Sequence, residues 1–326
     1  RVSYSNLADA LKGDGKDFHR RSVFEELIRQ QDDEAGITEE WAGSRSAVGM
    51  PLWELPKGGH VGDAFHAIFE HLDLGATDLV SEAERVVMLY GSQKFLRAHR
   101  ERLVEGIMQV CNTPLGSELG NVTLRDLDPK LRAAEMRFEA PVYVGAQVEV
   151  ATLKSIGEYV VAKIGNETDP LLEYAEHLSA LKVVTPEMRL RGLLNGSIDT
   201  IIPVGSGNGV RFFVSDYKSN KLEAPSFETP ISRYLPENLF QVMKSEHYTL
   251  QGLIYGVAMY RYLRWRAPHL DADRAVGGWS YLFLRGMLGD GAESVGNSTY
   301  GVTTWSSQEY PGFWAGLSDV LMGVEQ

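Results

Sequence analysis

The feature that most constrains this chain is a hairpin signal near its middle. Residues 196–204 and 210–217 are runs rich in β-branched and aromatic side chains, separated by Gly205-Ser206-Gly207-Asn208-Gly209. Glycine and asparagine tolerate the positive φ angles of a tight reversal, so the pattern predicts two antiparallel strands joined by one turn. The glycines superficially resemble a nucleotide-binding loop. A dinucleotide fingerprint needs a helix after its glycines, whereas here a strand follows. No G-x-x-x-x-G-K-[ST] run occurs in the sequence, which excludes a P-loop.

The hairpin carries charged groups inside apolar strands. Asp199 interrupts the first strand, and the second ends Ser215-Asp216-Tyr217-Lys218. Asp216 and Lys218 are two residues apart and project from one face of a strand. Alone, they read equally as a buried salt bridge. Antiparallel pairing also brings Asp199 to the same end of the sheet. Two carboxylates that close repel unless one holds a proton or a cation lies between them. Hard oxygen ligands suit Mg²⁺, and a lysine beside such a site can orient or help deprotonate an attacking water. Together these groups suggest phosphodiester hydrolysis.

Gln251 and Tyr255 are four residues apart on a predicted amphipathic helix, 249–264, and share a face. They read either as the edge of a core or as hydrogen-bond donors for a phosphate or the acids. Phe65, Ile68, Phe69 and Leu72 predict a helix from Gly62. Ser81-Glu82-Ala83-Glu84 has the form of a capping box opening a helical region to about residue 110, broken near Gly91. Strands are expected over 134–144, 146–153 and 277–284, and further helices over 171–181 and 308–322. Short helices are expected over 5–11 and 21–29, then an acidic loop over 32–46. This order predicts an α/β fold, a central mixed sheet flanked by helices. The organisation expected is a lead-in over 1–55, then one domain over 56–326, helical over 62–130 with the catalytic sheet and helices over 134–326.

Composition limits the partners. Hydrophobic residues make up 44% and charged residues 23%, ordinary values for a folded domain. One cysteine, Cys111, excludes an internal disulfide and a cysteine-ligated cluster, and fits a cytoplasmic setting. No apolar run is long enough to span a bilayer and no secretion signal is visible, so no membrane partner is expected. The net charge of −12 argues against tight autonomous binding of DNA, unless basic residues cluster or a partner delivers the strand. Lys94, Arg97, Arg261 and Arg264 are the candidate DNA contacts. Lys94 and Arg97, with Arg100 and Arg102, read equally as a solvated helix face.

Several segments together resemble the RecB-type branch of the PD-(D/E)xK nucleases. They are Asp199, Asp216-Tyr217-Lys218-Ser219-Asn220, His247-Tyr248-Thr249-Leu250-Gln251 with Tyr255, Tyr260-Arg261-Tyr262-Leu263-Arg264, and Gly277-Gly278 with Tyr281-Leu282-Phe283-Leu284-Arg285-Gly286. The opening Ser3-Tyr4-Ser5-x-Leu7 is similar as well, so the resemblance touches both ends of the chain, although 30–50 and 145–185 carry none of its motifs.

The resemblance implies a restriction-endonuclease-like fold and a Mg²⁺-dependent exodeoxyribonuclease of the bacterial cytoplasm. Mn²⁺ or Ca²⁺ would substitute in its site. It implies His66, in Gly62-Asp63-Ala64-Phe65-His66, as a metal ligand with Asp199, Asp216 and the Tyr217 carbonyl. A lone histidine there otherwise reads as a core residue, and His60 is a rival. Glu135 matches an additional acid of the family, or else pairs with Arg137. Asp199, Asp216, Lys218, Gln251 and Tyr255 would form the catalytic set. The resemblance further implies a helicase motor upstream of the chain, RecC-like and RecD-like partner subunits, and work in double-strand break repair and degradation of linear DNA. The alternatives are a catalytically silent nuclease-like scaffold that docks DNA or partners, and a stand-alone nuclease of the same superfamily. The iron–sulfur subtype is excluded, since it needs four cysteines.

Overall fold

The computed structural model describes residues 49–91, 98–128, 133–142, 151–181, 192–225, 228–291 and 299–323. Its regular elements run α1 (Gly59–His71), α2 (Leu79–Tyr90), α3 (Arg100–Asn112), β1 (Ala134–Val142), α4 (Leu153–Lys163), α5 (Pro170–Ser179), β2 (Gly192–Val204), β3 (Arg211–Lys218), α6 (Pro236–Ser245), α7 (Tyr248–Arg266), the single turn α8 (Ala272–Ala275), β4 (Val276–Phe283), β5 (Val302–Ser306) and α9 (Phe313–Met322). The strands form one sheet in the order β1-β2-β3-β4-β5. Only the β3–β4 pair is parallel. A parallel neighbour needs a crossover, which α6 and α7 provide. The α/β class with a mixed sheet between helices is therefore as expected, and it is compatible with a restriction-endonuclease-like fold.

The hairpin explains the layering. Ile201 pairs with Val214 and Ile202 with Phe213 across β2 and β3. Successive side chains point to opposite faces. Ile201 and Val214 join a core built with α4, α5, α6, α7 and α9. Ile202, Phe213, Tyr217 and Leu282 join a second core built with α1, α2 and α3. The turn itself has Gly205 at φ 82° and Gly207 at φ 58°, the left-handed region that the glycine run predicts.

Helix α1 follows its apolar spacing. Val61, Ala64, Phe65, Ile68 and Phe69 are buried, which leaves His66 half-buried and Glu70 exposed along a neighbouring stripe. Helix α2 starts one turn before the expected cap. Asp78, not Ser81, is the N-cap, and its carboxylate accepts from the Ser81 amide at 3.1 Å. The break at Gly91 is present, as α2 stops at Tyr90 and α3 follows from Arg100.

Other expectations are corrected. The strand placed over 146–153 does not extend to its end, because Leu153 opens α4. Thr152 caps that helix, accepting from the Ser155 amide at 3.0 Å while Ser155 Oγ accepts from the Thr152 amide at 2.8 Å. Strand β5, over Val302–Ser306, is an element that no expectation from the sequence covers. The last helix begins at Phe313 rather than at Gln308. Helix α7 is not amphipathic: Tyr248 through Tyr260 are buried around its whole circumference, so two layers cover it. Ahead of α1, Met50 and Trp53 join the first core and Leu52 and Leu55 the second. The expected helices at 5–11 and 21–29, the acidic loop, and residues 146–150 lie outside the described residues.

Two glycines let α7 approach the sheet and α9. A Cβ on Gly252 would stand 2.7 Å from Trp279 Cδ1, and one on Gly256 would enter the ring of Trp314. Both tryptophans are fully buried, so neither ring has space to retreat. Overpacking of this kind costs about 1–3 kcal/mol. Alanine would return about 1 kcal/mol of helix propensity. Gly256→Ala should therefore lower stability, read as a fall in the urea midpoint with unchanged slope. A midpoint at or above that of the parent chain would contradict this packing.

Candidate active site

The sheet register aligns polar groups across four strands. Asp199 faces Asp216 one pair beyond Thr200 and Ser215. Glu135 faces Asp199, between the pairs Ala134–Thr200 and Met136–Ile198. Tyr281 is the partner of Asp216 on β4. Neighbouring strands lie about 4.8 Å apart, so this row concentrates three carboxyl groups over two strand spacings.

Asp216 is the most constrained of the three. It is 3% exposed. Lys218 Nζ stands 2.7 Å from its Oδ2, and Gln251 Nε2 donates to its Oδ1 at 3.2 Å. Burial pushes its carboxyl up to about 7, and the charge of Asp199 pushes the same way, against the pull of Lys218 and His66. Lys218 is itself buried, with its ammonium 3.9 Å from the centre of the Tyr248 ring and 5.5 Å from that of Tyr281. Aromatic faces attract a cation, so these rings help to hold the ammonium in place out of water. Asn220 Nδ2 donates to the Tyr248 hydroxyl at 3.3 Å, which steadies that ring.

Asp199 links the sheet to α1. Its Oδ2 accepts from the Tyr217 amide at 2.9 Å and lies 3.1 Å from His66 Nδ1. The stacked rings of Phe69 and Tyr217, 5.0 Å apart, fix the same helix against β3. Glu135 is held differently, with φ at 54°. A left-handed non-glycine residue costs about 1–3 kcal/mol and persists only where its surroundings enforce it. The expected alternative pairing, Arg137 Nε to Glu135 Oε1, spans 4.0 Å with the arginine mostly exposed. An exposed pair contributes at most about 1 kcal/mol, too little to account for that backbone. Burial, then the charge of Asp199, raises the Glu135 carboxyl.

Gln251 and Tyr255 lie on the first turns of α7. The Gln251 amide donates to Asp216 and, at 2.9 Å, to the Tyr255 hydroxyl. Its Oε1 accepts from the Tyr281 hydroxyl at 2.9 Å. Every atom of this amide is thereby oriented. Burial, followed by the charges of Asp216 and Asp199, holds the Tyr255 phenol well above its ordinary range, so it keeps its proton.

The structure thus gathers His66, Glu135, Asp199, Asp216, Tyr217, Lys218, Gln251 and Tyr255. It does not gather the candidate DNA contacts. Arg261 bonds Ser318 through Nε (2.9 Å to Oγ) and Nη2 (3.0 Å to O), and the Pro141 carbonyl through Nη1 at 2.6 Å. It is a structural tie between α7, α9 and β1, and its guanidinium is already committed. Arg264 is exposed near the far end of α7. Lys94 and Arg97 lie outside the described residues. Sequence reasoning missed the roles of Tyr248 and Tyr281 as supports for Lys218 and Gln251. It also missed Glu70, whose charge reaches Glu135. The spacing His66-x-x-x-Glu70 was the available signal, since it places both on one face of α1.

The donor set suits a hard divalent cation: carboxylate oxygens, one imidazole, and like charges that a cation would relieve. Among the described residues, no three His, Cys, Asp or Glu side chains already converge on a single point. At Asp216 the nearest groups are Lys218 Nζ, 2.7 Å from Oδ2, and Gln251 Nε2, 3.2 Å from Oδ1.

No protein-family model matches the chain. Individual proteins do. It is 32% identical over 309 residues to the RecBCD enzyme subunit RecB of Mycolicibacterium smegmatis, a match covering 94% of this chain and 27% of that protein. The same-named subunit of Mycobacterium tuberculosis strain H37Rv is 32% identical over 271 residues, 81% of this chain and 24% of the relative. That of Escherichia coli K12 is 30% identical over 249 residues, covering 76% and 18%. The chain therefore spans about a quarter or less of the length of the curated relatives it matches, towards their C-terminal end. By similarity along most of its length, and with its acids, lysine and Gln-x-x-x-Tyr helix brought together, the chain belongs to the RecB family.

Proposed function

We propose that the chain is the DNA-cleaving module of a RecBCD-type helicase–nuclease, hydrolysing phosphodiester bonds with a divalent cation. The observation that carries this reading is the buried Asp216–Lys218 pair, clamped by Gln251 beside Asp199 and His66. In this reading His66, Asp199, Asp216 and the Tyr217 carbonyl hold Mg²⁺, with Mn²⁺ or Ca²⁺ as substitutes. When bound, such a cation polarises the scissile phosphate and lowers the pKa of a water. Lys218 positions the attacking water and stabilises developing charge. Gln251 keeps the Asp216 carboxylate aimed at the site. Tyr255 accepts from Gln251 and retains its own proton to donate to a phosphate oxygen. Glu135 is the additional acid at the edge of the site.

The wider assignment follows the names of the relatives. Their names place them in RecBCD enzymes, so we propose RecC-like and RecD-like partners, an upstream motor, and action on linear DNA in double-strand break repair in the cytoplasm. The charge of −12 fits a module that receives its strand from a tethered motor at high effective concentration and needs little affinity of its own. Among the described residues, no helix is long and apolar enough to cross a membrane.

Lys218→Met keeps the apolar stem against Tyr248 and removes the charge. With Mg²⁺ and linear DNA it should lower turnover by about 10²–10⁴-fold, the range for a positioned acid–base group. Unchanged cleavage in a folded variant would remove Lys218 from the mechanism. DNA binding by the parent chain with no cleavage would favour the scaffold reading.

The Asp216 carboxyl, raised from 3.8 to about 7, sets a pH dependence. The folded chain holds this proton more tightly than the unfolded chain does, so metal-free stability falls as pH rises between about 4 and 7. A cation must displace the same proton, so cation affinity should climb about tenfold per pH unit below 7 and level off above it. Calorimetric titration with Ca²⁺ at pH 6, 7 and 8 measures this. Equal affinity at all three would contradict Asp216 as a ligand.

A further inference from the structure

Arg285 lies in the Tyr281–Gly286 motif, next to its closing glycine. It sits in a turn just after β4 and is 2% exposed. Its bonds run to backbone carbonyls: Nε donates to Ser219 O at 2.6 Å, Nη1 to Leu52 O at 2.6 Å and Leu55 O at 2.8 Å, and Nη2 to Pro56 O at 2.7 Å. The guanidinium also lies 5.5 Å from the centre of the Phe65 ring.

These contacts fall on both halves of the site. Ser219 directly follows Lys218 at the end of β3, and Phe65 directly precedes His66 on α1. Residues 52–56 lead into α1, which starts at Gly59. A guanidinium is planar and presents its donors in a fixed fork, so bonds made at its different edges fix the bonded loops relative to one another. Lysine offers the same charge from one rotatable point and cannot hold both edges. Satisfying carbonyls alone would not require the two loops to meet on a single rigid group, since water or separate donors serve equally well.

We infer that Arg285 is a positioning residue that sets the α1 half of the site, with His66, in register with the β3 half, with Asp216 and Lys218. This rests on the function proposed above. It acts through the backbone on either side of the site and touches neither substrate nor cation.

The test compares the 326-residue chain with Arg285→Lys and Arg285→Ala, and uses Mn²⁺ as the probe. Mn²⁺ affinity is read by electron paramagnetic resonance, and kcat and KM are read on linear DNA. Tyr159→Phe removes the hydroxyl bonds to the Gly312 and Phe313 carbonyls on α9, and serves as a destabilised control away from the site. Arg285→Lys should bind Mn²⁺ about 10–100-fold more weakly, as loss of a group that orients ligands does. It should lose kcat with KM within about twofold, and added guanidinium ion should restore part of the kcat of Arg285→Ala. The control should keep its Mn²⁺ affinity. Parent-like affinity and kcat in a folded Arg285→Lys would overturn the inference.

If neither variant folds, amide exchange of the parent chain decides. Mn²⁺ should slow exchange over 52–58 together with 217–221, and protection confined to 217–221 would overturn the coupling. A parent chain that neither binds Mn²⁺ nor cleaves would overturn the proposed function and this inference together. An active parent with unaffected Arg285 variants would overturn this inference alone.

Discussion

The structure is organised around a carboxylate in a place where its charge is costly. Asp216 is buried, beside another acid, at the end of a strand packed on both faces. Ionising such a group requires compensation from close by. Lys218 supplies the opposite charge at 2.7 Å and Gln251 supplies a directed donor. Each of these is fixed in turn, the lysine over Tyr248 and Tyr281, the glutamine by the Tyr281 hydroxyl. The supporting layers follow from that demand. Helix α7 must bring Gln251 and Tyr255 close to β3, and it lies in close contact on two sides, Gly252 against Trp279 of the neighbouring β4 and Gly256 against Trp314 of α9.

The same end of the sheet gathers further strain. Glu135 holds a left-handed backbone opposite Asp199, and Asp199 is tied both to the Tyr217 amide and to His66. Crowded acids and a strained residue destabilise a fold whose only task is to be stable. They are understandable where a cation enters and relieves the repulsion.

Much of this was legible in the sequence because the informative signals were local. Glycines at a reversal, two acids on paired strands, a lysine two residues beyond one of them, and Gln251 one helical turn before Tyr255 all depend on short-range geometry. What escaped depends on tertiary context. A Thr152–Ser155 cap lacks the usual glutamate, so nothing local marks the start of α4, and Leu153 reads as the end of a strand. Helix α7 reads as amphipathic in the sequence, whereas Tyr248 to Tyr260 are all buried, and the five-residue β5 has no clear alternation to reveal it. Arg261 looked like a DNA contact because nothing in the sequence shows that Ser318 and Pro141 already hold it. The fixed orientation of Arg285 depends on partners more than two hundred residues away, beyond any local pattern.

In the proposed function, Asp199, Asp216 and His66 form one cation site despite the ion pair that now occupies Asp216. A crystal of the chain soaked in Mn²⁺, with anomalous scattering used to place the ion, tests it most directly. The expected result is a single strong peak ligated by His66, Asp199, Asp216 and the Tyr217 carbonyl, with Lys218 moved off Oδ2 towards a bound water. No peak there at saturating Mn²⁺, or a peak held by other residues while the Asp216–Lys218 pair stays intact, would contradict it.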